Sequence, residues 1–152
     1  MVPLNTSAVS QDVLPRTSSS AITSHAKALS LARAVLDQHA EDVVVIDLRT
    51  LSTITDFFIV CTAGSSRQID ALREQVEETC RRDGVKIRHA EGTASPYAAT
   101  QGMRDPQWML IDCGDVVVHV FDQQGRAFYR LEDLWADAPR LGLGQEHQET
   151  SA

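Results

Sequence analysis

The sequence has few cysteines and almost no lysine. Its 152 residues include three cysteines, Cys61, Cys80 and Cys113. Their number is odd and no two have CxxC spacing, which argues against a disulfide or zinc framework and predicts reduced thiols. The basic residues are 12 arginines with only Lys27 and Lys86. They are scattered along the chain, so no basic stripe of the kind that binds a nucleic-acid backbone is present.

Long apolar runs are also missing. No stretch approaches the roughly 18 residues of a membrane span. The first 20 residues contain Asp12 and Arg16 but no basic start followed by an apolar block, so we expect no secretory signal and a cytoplasmic protein. The net charge is −7 and the isoelectric point is near 5.1. This acidity favours a basic partner over direct, sequence-specific contact with nucleic acid, because complementary fields select partners.

The chain is long enough for one domain, and at 43% hydrophobic residues it can bury a core without a structural metal. Residues 1–23 are rich in Ser and Thr without periodicity, which predicts a flexible arm. We expect a single α/β domain over residues 24–140 and a disordered tail over residues 141–152. Helix periodicity predicts a first helix over residues 24–38, and continuous apolar runs predict two strands covered on both faces, over residues 43–46 and 57–61.

The second half of the chain has stronger turn signals. A turn at Gly64-Ser65-Ser66 predicts the cap of a second helix, which ends at Gly84. The remaining predicted elements are a strand over 86–90, a surface loop over 92–106, two strands over 108–113 and 116–121 joined by a tight turn, a turn at 123–125, a short strand to Tyr129, and a helical turn over 131–135. Helices alternating with strands and followed by a hairpin indicate an α/β fold with a mixed sheet and flanking helices.

The Gly64-Ser65 turn is the first candidate site. It follows a strand and opens a helix, where backbone N–H groups can hold a phosphate. Helix capping by a serine explains the same residues without any ligand. Nucleotidyl transfer also needs two or three carboxylates around a divalent metal. Asp70 lies one turn into the helix, but no Asp-x-Asp follows on a neighbouring strand.

A second candidate consists of Asp112, Asp115 and His119, which could form a metal or acid–base site. Strand alternation argues against it, since His119 shares a face with Val117 and Phe121, while the two acids flank a turn. A lone histidine on such a face usually packs or lies in an interface. No Gly-x-Ser-x-Gly elbow is present for nucleophilic catalysis. Enzyme functions therefore have little support.

The segment from Trp108 to Trp135 is better explained as a surface. Alternation directs Trp108, Leu110 and Asp112 to one side of their strand and the residues between them to the other. Residues 108–137 contain six carboxylates and two arginines, a local net charge of −4. Aromatic side chains ringed by acids are typical of a protein–protein interface. The same pattern also fits ordinary core aromatics beside a solvated acidic face, and the residues alone leave both interpretations open.

Four segments resemble the ribosomal silencing factor family, also called RsfS or Iojap. They read DFFIVCTAGSSRQ over residues 56–68, EG over 91–92, WMLID and GDVVVHVF over 108–121 around Cys113, and YRLEDLW over 129–135. The resemblance covers about residues 25–140. It implies a nucleotidyltransferase-like fold without the catalytic carboxylates, in a protein that is not an enzyme and needs no cofactor and no metal.

The resemblance also implies a partner. Family members bind the large ribosomal subunit through its ribosomal protein fourteen, which is small and basic, and so block association with the small subunit and repress translation during starvation. A role in large-subunit biogenesis would use the same binding site on the large subunit. By matched position, we place the contact surface on eight residues: Trp108, Asp112, His119, Phe121, Tyr129, Glu132, Leu134 and Trp135.

Two features depart from the family pattern. Fifteen residues separate Gly92 from Trp108, where the family has a short gap, and the arm before residue 24 is longer than the core needs. Two other classes of function remain as alternatives. One is a nucleotidyltransferase-type enzyme that uses the Gly64-Ser65 turn. The other is a homodimeric interaction module in which an exposed strand of the hairpin face pairs with a second copy.

Overall fold

The computed structural model describes residues 22–93 and 108–143. Their elements, in chain order, are α1 (Ser24–Asp37), β1 (Glu41–Asp47), β2 (Phe57–Thr62), α2 (Ser66–Arg82), β3 (His89–Thr93), β4 (Trp108–Asp112), β5 (Val116–Phe121), α3 (Gln123–Tyr129) and α4 (Leu131–Leu134). Most of the proposed N-terminal arm, most of the 92–106 loop and the end of the proposed tail lie outside the described residues. None of the described helices is long and apolar enough to cross a bilayer.

Side-chain caps define where the two long helices begin. The Thr23 hydroxyl accepts a 3.0 Å hydrogen bond from the backbone N–H of Ala26 and so starts α1. The Ser65 hydroxyl accepts one of 3.1 Å from the N–H of Gln68 and starts α2. After α2, Gly84 has a φ of +72°, the left-handed conformation that commonly ends a helix. These boundaries agree with the sequence prediction to within a residue or two.

The five strands form one mixed sheet in the order β1-β2-β5-β4-β3. Only β2 and β5 run parallel, while the other three neighbouring pairs are antiparallel. The turn between β4 and β5 has Gly114 at a φ of +93° and is closed by the backbone N–H of Cys113 on the carbonyl of Val116. A mixed sheet with flanking helices is therefore confirmed.

The sheet has two unequal faces. Helices α1 and α2 cover the first face, which holds the main core, including Leu31, Leu72, Ile59 and Val118. The second face carries a smaller apolar cluster under α4 and the chain that follows it, with Phe121, Ile46 and Val60 at its centre. Because the second face is covered by fewer residues, part of its apolar surface remains accessible.

The segment from Gln123 to Tyr129 is a helix, and the predicted turn and short strand there are wrong. The Asp122 side chain caps α3 by accepting a 2.6 Å hydrogen bond from the N–H of Gly125, which is itself buried in the helix. Arg130 then takes a left-handed φ of +48°, which separates α3 from α4. The glycine that suggested a turn is instead a buried residue of a short capped helix.

Two other boundaries change. The strand predicted over 86–90 begins only at His89, because Val85 and Ile87 pack against the main core before the chain joins β4. At the other end, Leu141 donates its backbone N–H to the carbonyl of Val45, and Leu143 is buried. The ordered chain thus extends to at least Leu143, beyond the predicted boundary at residue 140.

Candidate functional site: an aromatic groove on the second face of the sheet

A groove of about 630 Å³ crosses the second face between the β4–β5 turn and the end of α4. We call it the aromatic groove. Cross-strand pairing explains its floor, since Leu110 faces His119, Asp112 faces Val117, and Val117 lies beside Phe58 in the parallel neighbour. The residues that line it are Ser52, Ile54, Thr55, Phe58, Arg88, His89, Leu110, Asp112, Gly114, Val117, His119 and Trp135.

A hydrogen bond between two rings organises one side of the groove. The indole Nε1–H of Trp108 donates to Nδ1 of His119 over 3.0 Å. Trp108 also stacks on Phe121, with ring centroids 5.2 Å apart, and contacts Tyr129 at 4.5 Å. Because β4 and β5 pair in register, strand geometry alone brings Trp108 opposite Phe121. The result is a packed aromatic cluster that joins the sheet to α3.

His119 is held in its neutral form. Burial lowers its pKa to about 3, since no described carboxylate compensates the lost hydration of an imidazolium. Nδ1 accepts from Trp108, so the ring proton is on Nε2. Nε2 has no hydrogen-bond partner among the described residues, and the ring lies edge to face with Phe58 at 4.5 Å. His119 is therefore a neutral aromatic residue packed against Trp108 and Phe58.

The eight predicted contact residues differ in how far they are exposed. Leu134 is 74% exposed, and Trp108, Tyr129 and Trp135 are half-buried, so these four have surface available to a partner. Phe121 and His119 are almost completely buried and support the layer above them. The remaining two positions, Asp112 and Glu132, are partly exposed acids.

The acids of this region have more internal partners than their number suggests. Among the six carboxylates of residues 108–137, five bind groups of the same chain. Asp112 accepts from Gly114 N in the hairpin turn, Asp115 pairs with Lys27, Asp122 caps α3, Glu132 pairs with Arg126, and Asp133 pairs with Arg130. Lys27, from outside the segment, offsets one unit of the local charge of −4, and most of the other acids already have partners within the segment, so the apolar groove is the more distinctive feature.

Arg126 fixes the position of the helical turn beside the groove. Its guanidinium makes two 2.9 Å hydrogen bonds to the carboxylate of Glu132 in α4. It also donates to the carbonyl of Asp42 and the hydroxyl of Thr62 at the edge of the sheet. The hydrogen bonds from Arg126 hold the pKa of Glu132 below its usual value. Glu132 is consequently a structural anchor for α4 as well as a residue of the proposed surface.

Sequence reasoning missed several groove residues. Phe58 lies between His119 and Trp135, but it belongs to a continuous apolar strand whose pattern does not show which face a residue occupies. Ile54 is 88% exposed in the β1–β2 loop, where no periodicity identifies it. Leu110 was placed on the correct side by alternation with Trp108 and could have been included on that basis.

The Gly64-Ser65 turn makes two internal hydrogen bonds with Gln68. The side-chain carbonyl of Gln68 accepts a hydrogen bond from the backbone N–H of Gly64, and the backbone N–H of Gln68 donates to the hydroxyl of Ser65. The side-chain amide nitrogen of Gln68, Nε2, donates to the carbonyls of Gln38 and His39. This arrangement is a reciprocal helix cap that also ties α2 to the end of α1. Over residues 22–93 and 108–143, no three His, Cys, Asp or Glu residues are grouped so as to hold a metal ion.

Comparison with known proteins gives one consistent family. Residues 21–152 match the family model described as "Ribosomal silencing factor during starvation". A ribosomal silencing factor from Halalkalibacterium halodurans is 39% identical over 121 residues, which cover 79% of this chain and 95% of that protein. The chloroplastic protein Iojap of Zea mays is 38% identical over 76% of this chain and 46% of its own length. A crystal structure of a Chromobacterium violaceum protein superposes with a TM-score of 0.65 at 30% identity, covering 76% of this chain and 88% of that one.

Proposed function

The chain belongs to the ribosomal silencing factor family, and from this premise we propose that it binds the large ribosomal subunit and prevents its association with the small subunit. The contact would be made with ribosomal protein fourteen, on the face of the large subunit that meets the small one. A protein bound there excludes the small subunit sterically and represses translation. The protein would act in the cytoplasm, and this steric mechanism requires neither an active site nor a cofactor.

The aromatic groove is the observation that carries this proposal. It presents Trp135, Phe58 and Leu110 beside the exposed side chains of Ile54 and Leu134. Aromatic and aliphatic anchors that are half-buried in a groove and surrounded by polar groups are characteristic of the centre of a protein–protein interface. The firm support beneath them, from Phe121 and His119, keeps the anchors in place before binding, which reduces the entropy lost on association.

Electrostatics would contribute chiefly to the rate of encounter. The net charge of −7 attracts a basic protein over distances up to about a Debye length. Most of the acids near the groove already have internal partners, so we assign the larger part of the affinity to apolar contacts. Asp133 is the most favourable candidate for an exchangeable ion pair, because it is 60% exposed and its present partner Arg130 is 72% exposed.

We further propose that the fold is nucleotidyltransferase-like without its catalytic carboxylates. The internal capping at Gly64, Ser65 and Gln68 supports the loss of the catalytic site, since two backbone N–H groups of this turn already have a structural role. Calorimetric titration with ATP or GTP and magnesium tests the enzyme alternative. Saturable binding that is lost in Ser65→Ala, or any nucleotide turnover, would favour an enzyme over a docking protein.

Sedimentation with separated ribosomal subunits tests the proposed function. We expect the protein to migrate with the large subunit, to be absent from the small-subunit fraction, and to reduce the amount of joined ribosomes when the small subunit is added. Migration with neither subunit would contradict the proposal. If the second face instead binds another copy of this chain, the protein will sediment as a stable dimer and the Leu134→Glu variant as a monomer, without either binding ribosomes.

A further inference from the structure

We propose that Cys80 and Cys113 form an oxidation site that closes to an intramolecular disulfide. The two Sγ atoms are 3.6 Å apart, although 33 positions separate the residues in the sequence. Cys80 lies in the last turn of α2, and Cys113 begins the turn between β4 and β5. Closure would therefore join the end of a helix to a hairpin. This inference is independent of the proposed ribosomal function.

The separation of the sulfur atoms requires little movement for bond formation. A disulfide bond is about 2.05 Å long, so the sulfurs must approach by about 1.5 Å. The hairpin turn can supply this shift, since Cys113 precedes Gly114, which has the left-handed backbone conformation. The third cysteine lies elsewhere in the core, in β2, and has no sulfur partner among the described residues.

The surroundings of the pair favour a thiolate on Cys80. A hydrogen bond from the Cys113 thiol lowers the pKa of Cys80, and the ammonium of Lys27 acts in the same direction, whereas burial, Asp83 and Glu77 oppose it. Lys27 is held in place by a 2.6 Å contact with Asp115 and a 3.3 Å hydrogen bond to the carbonyl of Cys113. By contrast, burial raises the pKa of Cys61 to about 12. Cys80 is consequently the more reactive sulfur, whereas the hydrogen bond to Cys80 and burial raise the pKa of Cys113, which therefore enters the reaction as a thiol.

A cavity opens onto the Cys113 side of this pair. It has a volume of about 680 Å³ and lies on the helix-covered side of the hairpin turn. Cys113 lines it, together with Lys27 and with Gly84 and Val85, which follow the helix end that carries Cys80. A hydroperoxide is small enough to enter such an opening next to the pair, and it supplies the two-electron oxidant that closure needs.

The reaction balances as follows. The Cys80 thiolate attacks one oxygen of hydrogen peroxide, an S–O bond forms, the O–O bond breaks, and the departing hydroxide takes up the proton that Cys80 lost, giving water. The Cys113 sulfur then attacks Cys80 Sγ, an S–S bond forms, the S–O bond breaks, and the Cys113 proton leaves with the second hydroxide as water. Two thiols are oxidised by two electrons, and one peroxide is reduced to two waters.

Formation of the disulfide would also affect the aromatic groove. Asp112 and Gly114, the neighbours of Cys113 in the chain, both line the groove on the opposite face of the sheet. A covalent bond at Cys113 fixes the turn that carries them. The site is thus placed to couple the thiol state of the protein to the geometry of its second face.

Peptide mapping of the oxidised full-length protein tests the site. Trypsin places the three cysteines in separate peptides, residues 50–67, 74–81 and 105–126. After treatment of the folded protein with hydrogen peroxide, we expect a monomer whose mass is lower by about 2 Da, the loss of two hydrogens. Non-reducing digestion should join peptides 74–81 and 105–126, and dithiothreitol should separate them. The oxidised form should also have a higher melting temperature, since it closes a loop within the chain.

The matched control is Cys61→Ser, which should form the same cross-link at the same rate. Cys80→Ser and Cys113→Ser should each lose it. Should either of these variants fold poorly, the map of the wild-type protein still decides the question. A folded wild-type protein that gains only oxygen, that links Cys61, or that cross-links solely between two molecules would overturn the proposal.

Discussion

The indole of Trp108 donates a 3.0 Å hydrogen bond to Nδ1 of His119, and this contact determines the tautomer of a histidine that burial keeps neutral. It also joins β4 to β5 on the second face of the sheet, beneath the residues proposed to meet a partner. Both residues were identified from the sequence as members of one surface. The structure instead makes His119 a support for Trp108.

Trp108→Phe should destabilise the fold through this bond. The ring remains, but Nδ1 of the buried His119 loses its donor, at a cost of about 1–3 kcal/mol for an unsatisfied polar group. Urea denaturation measures the change in the free energy of unfolding. A double-mutant cycle with His119→Phe provides the control, since the second substitution should cost less in the Trp108→Phe background than alone. Additive effects of the two substitutions would show that the bond contributes nothing.

Acid should weaken the fold because of His119. Its pKa in the folded state is about 3, below the ordinary value of 6.5, so the unfolded chain binds a proton there that the folded chain does not. The contribution is complete above pH 6.5 and is lost as the pH falls from 6.5 towards 3. The free energy of unfolding should decrease by up to about 1.4 kcal/mol per pH unit within this window.

Denaturation curves between pH 7 and pH 5 measure this slope. This pH range lies above the one in which Asp47 and Glu132 matter. Because the pKa values of both carboxyls are lowered in the folded state, the stability that they contribute is lost only as the pH falls below the ordinary pKa of a carboxyl group. His119→Gln should abolish the slope between pH 6.5 and 5, whereas substitution of the exposed His89 by glutamine should leave it unchanged. Equal slopes in all three proteins would exclude His119 as its source.

Glu132→Gln should loosen α4. The substitution removes the charge from a partly buried pair with Arg126, whose side chains are 15% and 24% exposed, and leaves the guanidinium without its anion. We expect a loss of about 1–3 kcal/mol in the free energy of unfolding, as for hydrogen bonds to charged groups. Asp133→Asn is the matched control, because its exposed pair with Arg130 should change stability by less than about 1 kcal/mol. Equal losses in the two variants would contradict an anchoring role for Glu132.

Strand alternation predicted the two faces of β4 because successive side chains point to opposite sides of a strand whatever the rest of the fold does. The same rule could not place Phe58, since the first five residues of β2 are all apolar and the strand is covered on both sides. Local turn signals failed at Gly125, where the cap from Asp122 starts a helix. A glycine indicates backbone freedom but not how that freedom is used.

The ion pairs of the site could not be predicted from the sequence. Arg126 reaches Glu132, Thr62 and the carbonyl of Asp42 only because α3 and α4 fold back over the edge of the sheet. Counting charges along residues 108–137 suggested an open acidic surface, whereas Asp115 pairs with Lys27 from a distant part of the chain, and Glu132 and Asp133 pair with arginines of the same segment. The charge counts therefore identified the acidic segment but did not predict which of its carboxylates are paired with basic side chains.

Asp133→Asn should slow binding to the large subunit without speeding its release. The carboxylate is exposed at the edge of the proposed interface, so it should act through long-range attraction to a basic partner. We expect the association rate to fall by no more than about threefold at low salt and the difference to vanish at high salt. Surface plasmon resonance measures both rates. Asp70→Asn, on the exposed side of α2, is the control for the change in net charge.

Equilibrium binding of the Leu134→Glu variant to purified large ribosomal subunits tests the central claim most directly. Leu134 is 74% exposed, so the substitution should leave the free energy of unfolding nearly unchanged. It would place an unpaired charge among the apolar contacts of the interface. The wild-type protein and the control Arg67→Glu, on the helix-covered side, should bind with similar affinity, while Leu134→Glu should bind about tenfold or more weakly. Equal affinities for all three proteins, or no binding by the wild type, would contradict the assignment of this face as the docking site.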